Sequence, residues 1–164
     1  MSFFKSKNSN SANTAEPIIT VSAETYATVS DRVKFESQIV QFEADTASDL
    51  IALVTRANTQ DYSNRTKKGL VLIFDKAIKS GTYPVGDPGF PFEHSYYFET
   101  GTIPGFITSY SYVAKSGTFT VEAIEVTSEK LHYQIGFDFK GVNNRNQELK
   151  ISGKSTYIVL LQPQ

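Results

Sequence analysis

The fold is decided by residues 131–140, which read LHYQIGFDFK. Large apolar side chains occupy the odd positions from Leu131 to Phe139, and polar residues or glycine occupy the even positions from His132 to Lys140. This strict alternation is typical of a β-strand that buries one face. A helix would distribute the same apolar side chains around its circumference. The stretch therefore predicts a strand that lies on a core.

A second alternating stretch comes just before the first. Phe119, Val121 and Ala123 alternate with polar residues, and the phase then slips at Ile124 and Val126. A slip by one position predicts a β-bulge. Because only the short polar link 127–130 separates the two stretches, together they predict a β-hairpin.

Several other stretches have β character. The run 69–74 is continuously apolar, which predicts a strand covered on both faces. In the final stretch, 149–161, Gly153 and Ser155 interrupt the alternation and predict a kink or a close backbone approach. Ser-Gly pairs recur at equal spacing, at 80–81, 116–117 and 152–153, as a faint trace of a hairpin-sized repeat. The remaining β-like stretches are 18–29, 32–44, 90–98 and 106–113.

These stretches predict a mainly β protein. Short links between successive strands favour antiparallel pairing. About eight such strands form either a closed barrel or a sandwich, and the sequence does not separate the two. The domain is expected to span residues 17–164, after a flexible polar tail at residues 1–16 that is rich in Ser and Asn.

One segment departs from the β pattern. Residues 46–49, Thr-Ala-Ser-Asp, resemble a helix-capping box, and Leu50, Leu53, Val54 and Ala57 then follow at helical spacing. This pattern predicts a short α-helix near 46–58. The competing interpretation is another strand, because residues 50–54 also form a short apolar run.

The candidate ligand site is the loop and strand between residues 81 and 98. Proline and glycine fix the shape of the loop, and its aromatic rings offer flat contact area. The even positions from Phe90 to Phe98 are expected to share an inward face and line a pocket. The alternative is that the loop plugs one end of the core. The residues expected to bind a ligand are Tyr83, Asp87, Phe90, Phe92, His94 and Tyr96.

Composition excludes several classes of function. The chain has 164 residues, a net charge of −1 and no cysteine, so disulfides, thiolate catalysis and cysteine-bound zinc are ruled out. No basic cluster favours nucleic acid, and no cofactor motif occurs. The sequence shows neither a signal peptide nor an apolar run long enough to span a membrane. The default expectation is therefore a cytoplasmic protein, with export independent of a signal peptide left open.

Catalysis has little support in the sequence. The two histidines, His94 and His132, have no second ligand at short spacing, and no nucleophile motif occurs. A hydrolase that uses either histidine is the remote alternative, and no metal site is predicted.

The function that the pattern favours is a non-catalytic module that binds a small apolar or sugar-like ligand. The strand count is similar to that of calycin-type barrels, which bind small apolar ligands, but their Gly-x-Trp signature is absent because the chain has no Trp. The alternative is a structural or assembly protein that interacts through its sheet edges or its surface. The expected partners are thus a small molecule, a second copy or another protein.

Overall fold

A computed structural model of the chain describes residues 2–4, 18–58, 67–103 and 106–162. These residues contain no helix and form one antiparallel sheet of ten strands. The predicted flexible tail lies outside the described residues, except for residues 2–4. The strands are β1 (Ile18–Val29), β2 (Phe35–Glu36), β3 (Ile39–Ala44), β4 (Leu50–Asn58), β5 (Lys67–Asp75), β6 (Gly81–Pro84), β7 (Phe92–Ile103), β8 (Phe106–Val126), β9 (Lys130–Val142) and β10 (Glu148–Gln162).

The sheet is a half-barrel, so the prediction of a closed barrel or a sandwich is wrong. Its strand order is β2-β1-β10-β9-β8-β7-β5-β4-β3. The short strand β6 is not in this series and pairs with β8. The β1 side and the β4 side approach each other, but no ladder joins them. Instead, Ser37 N–H donates to Thr25 O over 3.0 Å and Gln38 N–H donates to Arg56 O over 2.8 Å. The strand β2 has only 2 residues, which is too short to complete the closure.

The concave face of the sheet carries the main core. Phe139 is 1% exposed, and Tyr133 and Ile135 are fully buried, as the alternation in 131–140 predicts. The predicted hairpin of β8 and β9 is also confirmed, and its register shifts between Ala123 and Glu125, where the bulge is expected. Period-two patterning was therefore sufficient to place this part of the core.

The predicted helix at 46–58 is wrong, because Leu50–Asn58 is strand β4. Both of its faces are buried: Leu53 packs in the main core, whereas Ala52 and Val54 pack on the opposite face. A strand buried on both faces has no period-two signal, and its apolar residues then match helical spacing by chance. The apparent capping box is a turn instead, in which the Asp45 carboxylate accepts a hydrogen bond from Ala47 N–H over 3.1 Å.

Strand β5 confirms the expectation for 69–74, since every residue from Leu70 to Phe74 is buried. The close backbone approach expected in the final stretch is also confirmed, at Gly153. A Cβ atom at this position would lie 2.1 Å from the carbonyl oxygen of Tyr26 on β1.

A cluster of buried hydroxyl groups connects the two sides of the half-barrel. Thr25 Oγ1 on β1 lies 2.7 Å from Thr55 Oγ1 on β4 and 2.6 Å from Ser155 Oγ on β10, and all three side chains are fully buried. Tyr157 Oη lies beside them but makes no hydrogen bond of normal geometry. Burial raises the pKa of the Tyr157 hydroxyl, although the three neighbouring hydroxyls oppose the shift. The cluster thus stabilises the approach of β1 to β4 where a ladder is missing.

We expect Thr25→Val to lower the free energy of unfolding by about 2 kcal/mol or more, because it leaves two buried hydroxyls without their partner. Valine keeps the shape of threonine, so the loss reports on hydrogen bonding. Urea unfolding measures the change. The matched control is Thr28→Val on the same strand, where the exposed hydroxyl has a single 3.3 Å contact with Ser152 O. Equal effects of the two substitutions would contradict the proposed role of the cluster.

Candidate functional site

The even positions from 90 to 98 do not share one face, and this expectation is wrong. Phe92 pairs with Phe74, but the next aligned pair is His94 with Ile73, so Glu93 is the extra residue of a β-bulge. The bulge reverses the orientation of all later side chains. Phe92 therefore faces the main core, whereas His94 and Tyr96 lie on the outer face. His94 is exposed there, and Tyr96 packs against the buried apolar side chains of β4 and β5.

The aromatic loop packs on the core and fills one end of it. The ring of the fully buried Phe119 has its centroid 5.5 Å from that of Phe90, 5.0 Å from that of Phe92 and 5.2 Å from that of Phe139. Tilted and offset rings at these separations attract one another. This packing matches the alternative interpretation, in which the loop acts as a plug.

The other two predicted residues of the loop determine its conformation. Asp87 is exposed, and its carboxylate accepts a hydrogen bond from Gly89 N–H over 2.8 Å. The Tyr83 hydroxyl donates to Lys79 O over 2.6 Å. The structure brings Phe90 and Phe92 together but places His94 and Tyr96 on the opposite face, and a ligand-binding role for the six residues stays a prediction. A shallow cleft of about 380 Å³ lies elsewhere, lined by Thr28, Val29, Ser30, Asp138, Lys150 and Ser152.

The two histidines lie on different strands of the sheet, His94 on β7 and His132 on β9. His132 lies across from Glu125 in the register of β8 and β9, but the Glu125 carboxylate pairs with Lys130 Nζ at 3.2 Å. His94 is exposed and lies opposite Ile73. Within the described residues, no group of three or more acids and histidines is arranged to hold a metal ion.

A charged pair joins the loop after β1 to strand β7. Arg32 Nε, in the loop after β1, donates to both oxygens of the Glu99 carboxylate, at 2.9 and 3.1 Å. Burial alone would lower the pKa of the Arg32 guanidinium, but the hydrogen bond to Glu99 and the electrostatic attraction of Glu99, Tyr112 and Tyr97 together raise it. Burial and the nearby Glu99 carboxylate raise the pKa of the Tyr97 hydroxyl far above its usual range. These shifts keep Arg32 charged and Tyr97 protonated, so the group serves as a structural contact between β7 and the loop after β1.

The contacts that residues 2–4 make with the sheet were not predicted from the sequence. The Glu43 carboxylate on β3 accepts hydrogen bonds from Phe3 N–H at 2.7 Å, Phe4 N–H at 3.0 Å and the Ser2 hydroxyl at 2.7 Å. The rings of Phe3 and Phe4 pack against the outer apolar cluster of the sheet. Phe3 and Phe4 are the only large apolar residues of the polar stretch 2–16. This composition was the one feature of the sequence that could have indicated a contact with the sheet. Together these contacts hold the Ser2–Phe4 segment on the outer face of the sheet.

We expect acid to release the Ser2–Phe4 segment. Burial alone would raise the pKa of the Glu43 carboxyl, but the hydrogen bonds from Phe3, Ser2 and Phe4 lower it below its usual value of 4.5. A depressed pKa means that the contact is stable above the ordinary pKa and is lost as the pH falls through the lowered value.

Backbone NMR of the Phe3 and Phe4 amides measures this release. Their chemical shifts should move toward those of a free peptide as the pH falls below the usual carboxyl pKa and through the lowered pKa of Glu43. In a Glu43→Gln variant, the shifts should lose this pH dependence. Shifts that stay constant throughout an acid titration in which the sheet stays folded would contradict the expectation.

Comparison of this chain with family models, curated proteins and solved structures yields no match. Among the described residues, no helix is long and apolar enough to cross a membrane. The function of this chain is therefore inferred from its own geometry.

Proposed function

We propose that this chain is a non-catalytic interaction module that associates with a second copy of itself through one end of its sheet. The proposal depends chiefly on one observation, a group of exposed apolar side chains at that end, which we name the end patch. Its residues range from 38% to 51% exposed and are Ile18, Ile19, Ile124, Val126 and Leu160.

The strand register places these residues at the same end of the sheet, with Ile19 and Val126 on the core face and Leu160 on the outer face. Ile19 pairs with Leu161, and Thr20 pairs with Leu160, which in turn lies opposite Lys130 on β9. The next strand, β8, ends here with Ile124 and Val126. Adjacent strands lie about 4.8 Å apart, so the end patch crosses four neighbouring strand ends within a short distance.

The end patch is continuous with the main core. Val126 pairs with the buried Leu131, and Ile19 pairs with Leu161, which packs against the core cluster. The core thus reaches the surface here and remains partly exposed. Exposed apolar side chains that gather at one place on a protein are typical of interaction sites.

The charges at the end patch favour a second copy as the partner. Glu125 and Lys130 lie at its rim, with their carboxylate oxygen and ammonium nitrogen 3.2 Å apart and both side chains partly exposed, and Glu129 is exposed in the same turn, so the rim carries charges of both signs. A twofold axis places the same surface of both copies together, and Lys130 of one copy can then face Glu125 of the other. The net charge of −1 gives little repulsion between copies.

Light scattering over a wide range of protein concentration tests the proposal. The mass of the unaltered chain should rise toward that of a dimer, whereas Leu160→Glu should remain a monomer because it buries a charge in the interface. The matched control is Val33→Glu, because Val33 is 63% exposed and lies outside the end patch, and it should associate like the unaltered chain.

A strict monomer at every concentration would reject the proposal. Equal effects of Leu160→Glu and Val33→Glu would also reject it, since association would then not use the end patch. Native mass spectrometry of the same samples would detect a small ligand retained by the aromatic loop, which is the other function that the sequence favours.

A further inference from the structure

The outer face of the sheet carries a second apolar cluster, distinct from the end patch. Ala52, Val54, Val71 and Ile73, from β4 and β5, are at most 5% exposed on the face opposite the main core. We name these four residues the outer patch. An antiparallel sheet usually exposes one face to water, so burial on both faces requires a cover.

The cover is made of four aromatic rings. Tyr96 and Phe98 flank the outer patch from β7, and Phe3 and Phe4 pack on it from the Ser2–Phe4 segment. Phe3 and Phe4 themselves remain half-buried, and Ser2 is exposed. The segment thus lies on the surface of the sheet and is itself partly exposed.

Glu43 makes this surface a specific peptide site. Its carboxylate accepts two backbone N–H groups and one hydroxyl from three successive residues. Backbone amides are common to every peptide, so this contact fixes the position and direction of the bound chain. The outer patch then selects for apolar side chains at the two positions where Phe3 and Phe4 lie.

We propose that the outer patch and Glu43 form a binding site for a peptide segment of a partner protein that carries two adjacent aromatic residues. The Ser2–Phe4 segment is the resident ligand, and the partner displaces it. The geometry supports displacement because, in the part of the chain that the structure describes, the hydrogen bonds from the segment to the sheet all go to one carboxylate. The site differs from the end patch, so this inference does not depend on the proposed dimer.

The covalent tether makes the resident segment a competitor. A ligand attached by a short linker acts at an effective concentration on the order of millimolar. For a partner peptide with an intrinsic dissociation constant on the order of 100 μM, the resident segment weakens apparent binding about tenfold. Removal of the aromatic rings from the segment should therefore strengthen binding in trans by that factor.

The experiment titrates a synthetic peptide with the sequence of residues 2–8, Ser-Phe-Phe-Lys-Ser-Lys-Asn, into the full-length chain. We expect the Phe3→Ser, Phe4→Ser double variant to bind the peptide at least tenfold more tightly than the unaltered chain. Addition of Glu43→Gln to the double variant should weaken binding severalfold. A peptide with serine in place of both phenylalanines is the matched control and should not bind.

The unaltered chain offers a second measurement, in case the double variant fails to fold. Excess peptide should shift the backbone NMR signals of Phe3 and Phe4 toward those of a released segment. Equal affinity of the peptide for both forms of the chain, or equal binding of the serine peptide, would overturn the proposal. Dimerisation of the unaltered chain that the double variant abolishes and Leu160→Glu does not would also overturn it, because the occupant would then be a second copy.

Discussion

Replacement of Gly117 by alanine is expected to lower the free energy of unfolding by at least about 3 kcal/mol. Two effects combine at this position. Gly117 has a φ of +114°, a region that side-chain-bearing residues rarely adopt. A Cβ atom here would also lie 2.1 Å from the carbonyl oxygen of Asp138 and 2.6 Å from Cα of Phe139, on the adjacent strand β9. Because both contacts are with backbone atoms, relief requires β8 and β9 to separate within their ladder.

Gly86→Ala separates the two effects. Gly86 has a comparable φ of +88°, but no atom lies within 4 Å of a Cβ there. Its substitution should cost only the backbone strain, about 1–2 kcal/mol. Urea unfolding of both variants measures the difference, which reports the close approach of β9. Equal losses for Gly86→Ala and Gly117→Ala would show that the strands separate without cost.

Phe119→Ala is the second large effect, with an expected loss of about 3–5 kcal/mol in the free energy of unfolding. Phe119 is fully buried, and its ring contacts those of Phe90, Phe92, Phe137 and Phe139. Removal of a ring with so many partners leaves a cavity that the surrounding strands fill only in part. Thermal and urea unfolding give the loss directly.

The comparison with Phe90→Ala distinguishes a plug from a pocket. Phe90 is only half-buried, so its removal deletes less buried area and should cost about half as much as Phe119→Ala. If the aromatic loop were instead the wall of an open ligand site, both substitutions would cost less than about 1 kcal/mol. Such a result would restore the aromatic pocket as the leading interpretation.

The success of sequence prediction depends on how each strand is buried. The predictions for residues 131–140 and for the hairpin with β8 were correct, because the even positions from His132 to Lys140 are polar or glycine and face outward. Strand β4 was missed because it packs on two apolar surfaces at once, with Leu53 in the main core and Val54 in the outer patch. Two-sided burial removes the alternation, and a single sequence offers no other signal for such a strand.

The candidate site was less predictable than the fold. Tyr96, Tyr97 and Phe98 are consecutive aromatic residues. The even and the odd positions of this strand therefore both carry aromatic rings, and the sequence does not show which set faces inward. The bulge at Glu93 selects the phase with Tyr97 inside, and its position depends on pairing with β5, some twenty residues away in the chain. The contact of Phe3 and Phe4 with Glu43 spans a still larger separation along the chain. Pairings of this range follow from tertiary structure and leave little trace in local composition.

The pairing of β1 with β10 has a consequence for synthesis on the ribosome. Ile18–Val29 pairs along its full length with residues 151–162, and the contact between Thr25 and Ser155 joins positions 130 apart in the chain. Translation proceeds at about 5–20 residues per second, so β10 is synthesised several seconds after β1. During this interval the exposed edge of β1 is open to chaperones. Maturation is thus expected to be late and slow, as is typical of topologies rich in distant contacts.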